Sequence, residues 1–211
     1  SGLLWLAVHE KNSIRIINVS TYQHTIFATD EVNLSNVLDM TVFQGYLYTV
    51  ARTDLGSPTT IICKWEISTG SIVVCNDNEV NYGTAISYYN GEVFVLQTHN
   101  SSSYREVIIL SNSSLDKIDN FGYGSGVSVY YYSFDLDVDH NTGNVFIVYR
   151  DSYGRVREYI RQTDEDNSYC SSSVCYKQTY TYARYSTTIV VRDSYFYTSG
   201  YVTGSYYGNL R

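Results

Sequence analysis

The chain has 211 residues, a formal net charge of −7, 24 tyrosines, one proline and only four lysines. That length suffices for one domain with a substantial core. The acidic balance and scarcity of lysine argue against a phosphate-binding surface and so against nucleic acid, and no apolar run approaches the ~20 residues of a membrane-spanning helix.

Composition points to β structure, because Tyr, Val, Ile, Ser and Thr abound while Ala and Lys are scarce. The opening stretch SGLLWLAVHE has no basic n-region and so is not a signal peptide; it fits the mature end left after one is removed. Within it GLLWLA, from Gly2, alternates as a strand. Two further strands are expected after it, with the sequon of Asn18 at the turn between them and that of Asn33 in the connection to the next unit.

VLDMTVF from Val37 and GYLYTV from Gly45 come next, then TTIICKWEI and GSIVVC around a tight turn at Ser68 to Ser71. Folding that hairpin about Thr69 sets Cys63 opposite Cys75, where a cross-strand disulfide is geometrically feasible. The chain repeats itself from Thr84 with TAISYY, GEVFVL, EVIIL and SLDKID, which carry the sequons of Asn100 and Asn112 in their loops. GYGSGVSVYYY from Gly122 lacks the Lys and the following helix of a phosphate loop and reads as an inter-unit loop.

A third copy follows as SFDLDVD, GNVFIV, RVREYIR and SVCYKQTY, with Cys170 and Cys175 bracketing a short loop. TTIVVR, DSYFYT and SYYGNLR close the sequence. Neither cysteine pair has C-x-x-C spacing or histidine partners, so two disulfides are expected in preference to free thiols or a metal site. An oxidising compartment, and hence a secreted or cell-surface protein, follows from that expectation.

A small turn residue followed by an alternating strand with an aromatic at its third step thus recurs at Trp5, Tyr48, Phe94, Phe146 and Phe196, spaced by 43, 46, 52 and 50 residues. Four short strands per period with no helical periodicity predict an all-β β-propeller of about five four-stranded blades, the first and last incomplete. The blades fall at 1–35, 36–80, 81–126, 127–183 and 184–211 within a single domain. A sandwich does not explain an aromatic mark on every fourth strand. Three strands are expected in the first blade, four in each of the next three and three in the last. The two absent strands fit a piece of a longer chain, a five-blade ring that closes imperfectly, or strand donation by a neighbour to the open edge.

Asp135, Asp137 and Asp139 alternate along one strand face. They are the candidate calcium ligands, but His140 stands where a calcium loop needs its sixth-position glycine. A strand, a turn and a second strand with solvated carboxylates is the preferred reading. The stretch DVDHNTGNVFIVYRD resembles the turn between inner strands of NHL-type and YWTD-type propellers, and EISTGSIVV is similar to their strand pairs before blade boundaries. SGLLWLAV resembles the corresponding strand of olfactomedin propellers, which implies an extracellular five-bladed ring. These resemblances imply a fold and assign no activity.

Catalytic constellations are sparse. His9, His24, His99 and His140 have no ligand spacing and read as surface or core residues. Arg150, Arg155, Arg157 and Arg161 suggest the carboxylate clamp of a propeller glycosidase, but pairing with Asp164, Glu165 and Asp166 across a hairpin is the simpler expectation. Tyrosines in 128–134, 180–185 and 201–209 fill inter-sheet layers or form an aromatic contact surface. The expected function is that of an extracellular, N-glycosylated, non-catalytic module for protein–protein binding or structural assembly, without a cofactor. Its partner is another protein, or a further copy of the chain at the open edge. A carbohydrate-binding lectin is the first alternative and a glycosidase the second.

Overall fold

The computed structural model describes residues 2–8, 12–30, 33–34, 36–53, 59–98, 104–122, 129–130, 133–149, 155–161, 170–171, 174–181, 186–192 and 195–200. They form antiparallel strands, with no helix among the described residues. The first sheet is β1 (Leu3–Val8), β2 (Ser13–Asn18) and β3 (His24–Thr29). The second is β4 (Val37–Phe43), β5 (Tyr46–Thr53), β6 (Thr59–Glu66) and β7 (Ser71–Asn76). The third runs β8 (Gly83–Tyr89), β9 (Glu92–Thr98), β10 (Tyr104–Ser111) and β11 (Lys117–Gly122), with β12 (Val129–Tyr130) also paired to β10. In the fourth, β13 (Ser133–Val138), β14 (Val145–Tyr149), β15 (Arg155–Arg161), β17 (Val174–Thr181) and β16 (Cys170–Ser171) lie in that order, and β18 (Ser186–Arg192) pairs β19 (Tyr195–Gly200) in the fifth.

Two strands depart from the sequence expectation. GYGSGVSVYYY, read as a loop, contributes β12, whose Tyr130 opposes Tyr104. Cys170 and Ser171 form β16, where Cys170 is the register partner of Cys175. SYYGNLR lies outside the described residues.

Strand alternation explains how the sheets stack. Leu47 and Ala51 of β5, with Cys63 and Trp65 of β6, face the first sheet and pack with Ile14, Ala28 and Trp5. Tyr48 and Val50 point the other way and pack with Tyr88, Val93 and Val95 of the third sheet. The third sheet repeats the arrangement, sending Phe94, Leu96 and Val107 toward Val145, Ile147 and Tyr159 of the fourth. Phe146 and Val148 then meet Ile189 and Val191 of the fifth. Sheets apolar on both faces produce near-continuous runs such as VFVL and VFIVY rather than strict alternation. Each such Val, Leu or Phe contributes roughly 1.5–3 kcal/mol when fully buried. The leading strands β4, β8, β13 and β18 contact one another in succession. Cys63 and Cys75, directly opposed on β6 and β7 with Cα atoms 4.2 Å apart, form a disulfide.

Candidate functional site

The turn from the first to the second strand of a sheet occurs three times at one end of the molecule, and these turns build a common depression. Gln44 and Gly45 join β4 to β5, and Asn90 and Gly91 join β8 to β9. Their φ angles of 46° and 83°, and 46° and 86°, are left-handed at both central positions. This is the two-residue hairpin turn whose twist matches the strands. Between β13 and β14 the loop is longer, and Asp139 closes it. Its carboxylate accepts the Asn141 N–H at 3.0 Å and the Thr142 hydroxyl at 2.9 Å, while its carbonyl accepts the Gly143 N–H at 2.7 Å. Gly143 has φ 76°, and a Cβ there would lie 2.6 Å from the Tyr89 ring, so the glycine leaves the space that Tyr89 occupies.

Closing the loop presents His140 beside the other two turns. The His140 ring lies parallel to Phe43 with centroids 5.5 Å apart, and Phe43 stacks on Tyr88 at 4.4 Å. Phe43, Gln44, Tyr88, Tyr89, Asn90, Gly91 and His140 line an open depression of about 390 Å³. The side chains of Gln44, Asn90 and His140 are exposed and have no hydrogen-bond partner among the described residues.

A polar cluster in the second and third sheets supports the stack. Tyr48 lies 5.2 Å from Tyr88 and donates its hydroxyl to Asn112 Oδ1 at 2.5 Å. Lys64 donates to the same oxygen at 2.8 Å and sits 4.0 Å from the Tyr46 ring centroid. Burial pushes the Tyr48 phenol up, with Tyr88 and Tyr46 adding to the shift, and burial lowers the Lys64 ammonium.

The aspartates take other roles. Asp135 accepts N–H groups from Leu136 at 2.9 Å and, across the sheet boundary, Ile189 at 2.9 Å. Asp137 accepts Val138 N–H at 2.9 Å, Val191 N–H at 2.7 Å and the Ser87 hydroxyl at 2.7 Å. Asp39 does the same from β4, taking Met40 and Ile86 N–H groups at 2.8 Å each. Both oxygens of Asp135, Asp137 and Asp139 are therefore engaged by protein donors. This corrects the expectation of solvated carboxylates, because the neighbouring strand's N–H groups replace water. Among the described residues no group of three or more His, Cys, Asp or Glu side chains is arranged to hold a metal ion. Burial pushes Asp39 up to about 6 and Asp135 up to about 7, with nearby aspartate charge adding to both and the N–H donors opposing.

The other sequence candidates are scattered. Asn18 is exposed, its Oδ1 taken by Ser20 and Thr21 N–H groups. Asn33 donates Nδ2 to Asp30 at 3.0 Å, whereas Asn112 points into the Tyr48, Lys64 and Tyr88 cluster. A glycan on Asn112 would require its side chain to leave that position. His24 is exposed on β3. Arg157 lies over Tyr149 at 5.4 Å. His9, His99, Asn100, Arg150, Asp164, Glu165 and Asp166 lie outside the described residues.

Sequence reasoning missed Phe43, Gln44, Tyr88, Tyr89, Asn90 and Lys64. Most of them carried a usable signal: aligned on the repeat glycines Gly45, Gly91 and Gly143, the depression residues fall within three positions before the glycine or on it.

Sheets of repeated antiparallel order, with successive leading strands in contact, define a β-propeller. No protein-family model matches the chain, and no curated protein matches its sequence. Among solved structures, it is similar to a luciferin-regenerating enzyme with TM-score 0.61 and 11% identity over 94% of this chain and 65% of that one. It is also similar to BamB from Moraxella catarrhalis, with TM-score 0.57 and 12% identity over 94% of this chain and 52% of that one. The chain therefore spans about two thirds and about half of their lengths. Identities this low establish the propeller fold alone.

Proposed function

We propose that the protein is a secreted, non-catalytic binding module that engages its ligand at the depression formed by the three turns. The carrying observation is the Tyr88, Phe43 and His140 stack, rimmed by the exposed and uncommitted amides of Gln44 and Asn90. Aromatic rings and amides fixed on tight turns offer contact surface at small entropic cost. The Cys63–Cys75 disulfide supports the oxidising compartment. A glycosidase canonically uses two carboxyl groups flanking the sugar bond, and none of the described residues lining the depression carries one. An array of extracellular proteins and glycans, probed with the disulfide-intact protein, tests the proposal. It should yield a ligand whose binding falls at least tenfold in His140→Ala. Ligands that bind both proteins alike would place the contact elsewhere.

Assembly is a second reading, favoured by one observation. Among the described residues β5, β9, β14 and β19 each pair with a leading strand on one side, whereas β1 pairs with β2 alone and exposes Leu3, Leu4 and Leu6 by 47%, 53% and 44%. Such an edge accepts a strand. Sedimentation velocity should then show concentration-dependent association that Leu4→Lys suppresses; a monomer at every concentration counts against assembly.

A further inference from the structure

We infer that the ligand of the depression is a pyranose sugar, held with one ring face toward the aromatic side chains and its hydroxyls on the amides of Gln44 and Asn90. This rests on the binding-module reading above and names its ligand class.

Three features converge on a sugar. A pyranose has an apolar C–H face and a polar girdle, so its site must combine ring surface with directional hydrogen bonds. Here the rings are Phe43, His140 and Tyr89, and the volume of about 390 Å³ lies within the range of small-ligand sites. The directional groups are two primary amides, each with a donor and an acceptor side by side, which match two vicinal hydroxyls. The imidazole of His140 adds one further donor and one acceptor. All three polar side chains are exposed and uncommitted among the described residues, so binding breaks no internal hydrogen bond.

A peptide anchor fits less well. Interface hot spots bury a large apolar side chain in a dry pocket. In this depression Tyr88 is only 3% exposed and hidden beneath Phe43, and the accessible rim is made of polar turn residues.

The left-handed backbone at Gln44 and Asn90 supplies a clean test. Glycine adopts φ near 46° without a Cβ penalty, so Gln44→Gly with Asn90→Gly removes both amides while leaving the turns relaxed. The intact protein is titrated with methyl glycosides of glucose, galactose, mannose, fucose and N-acetylglucosamine, and the His140 and Tyr89 ring signals are followed by NMR. At least one glycoside should shift those signals saturably. The double variant should bind it at least tenfold more weakly, at about fivefold per lost amide contact, with no loss of thermal stability. The same protein is also panned against a displayed peptide library. Peptides whose binding depends on the two amides, with no glycoside moving the ring signals, would overturn the sugar assignment and leave the binding-module reading standing. No amide-dependent ligand of either kind would overturn both. A glycoside that binds the double variant as well as the wild type would also overturn the assignment.

Discussion

Asp137→Ala is expected to lower the unfolding free energy by about 3 kcal/mol, and the melting temperature by roughly 6–12 °C for a chain of this size. The effect is large because one carboxylate serves three sheets. Asp137 belongs to β13 of the fourth sheet, accepts Val191 N–H from the fifth at 2.7 Å and accepts the Ser87 hydroxyl from the third at 2.7 Å. Alanine removes all of these acceptors. Val191 is buried, as is Ser87, and a buried donor without a partner loses its hydration without compensation. Ser87→Ala removes one contact and its donor together, so it should cost only about 1 kcal/mol. Urea denaturation of the two variants checks the difference. Equal losses would mean that Asp137 does not bridge the sheets.

The second large effect is an inverted pH dependence. Many proteins lose stability in acid because native carboxylates are held below their unfolded pKa. Asp39 and Asp135 are held above it, at about 6 and about 7, chiefly by burial. The folded state therefore binds more protons than the unfolded chain between about pH 4 and 7. The contribution of these groups is complete below pH 4 and is lost as pH rises through 6 and 7. Each unit of displacement is worth about 1.4 kcal/mol, and because the two groups repel each other the joint effect is smaller than the separate ones. A stability loss of roughly 3 kcal/mol from pH 4.5 to pH 8 is expected. Differential scanning calorimetry across that range should show a falling melting temperature, and Asp39→Asn with Asp135→Asn should flatten it. A melting temperature that rises with pH in the unsubstituted protein would sink the argument.

Both effects arise from a feature the sequence shows only in part. Alternation places Asp135 and Asp137 on one face of a strand, but it does not say what that face meets. Only the packing of β18 against β13 supplies the Ile189 and Val191 N–H groups. A neighbouring strand 54 residues away leaves no trace in the local pattern. The depression is split in the same way. Phe43, Tyr88 and His140 come from three repeats, and their stacking depends on how the sheets are set side by side.

The sequence by itself determined the all-β class and the strand order within the repeats. It also placed Cys63 opposite Cys75, because side-chain alternation and turn glycines act over a few residues. The tertiary structure alone decided that the aspartates join sheets, that Asp139 closes a loop, and that three turns share one aromatic site. Those outcomes depend on contacts between sheets, where the partner of each side chain is chosen by packing rather than by its neighbours along the chain.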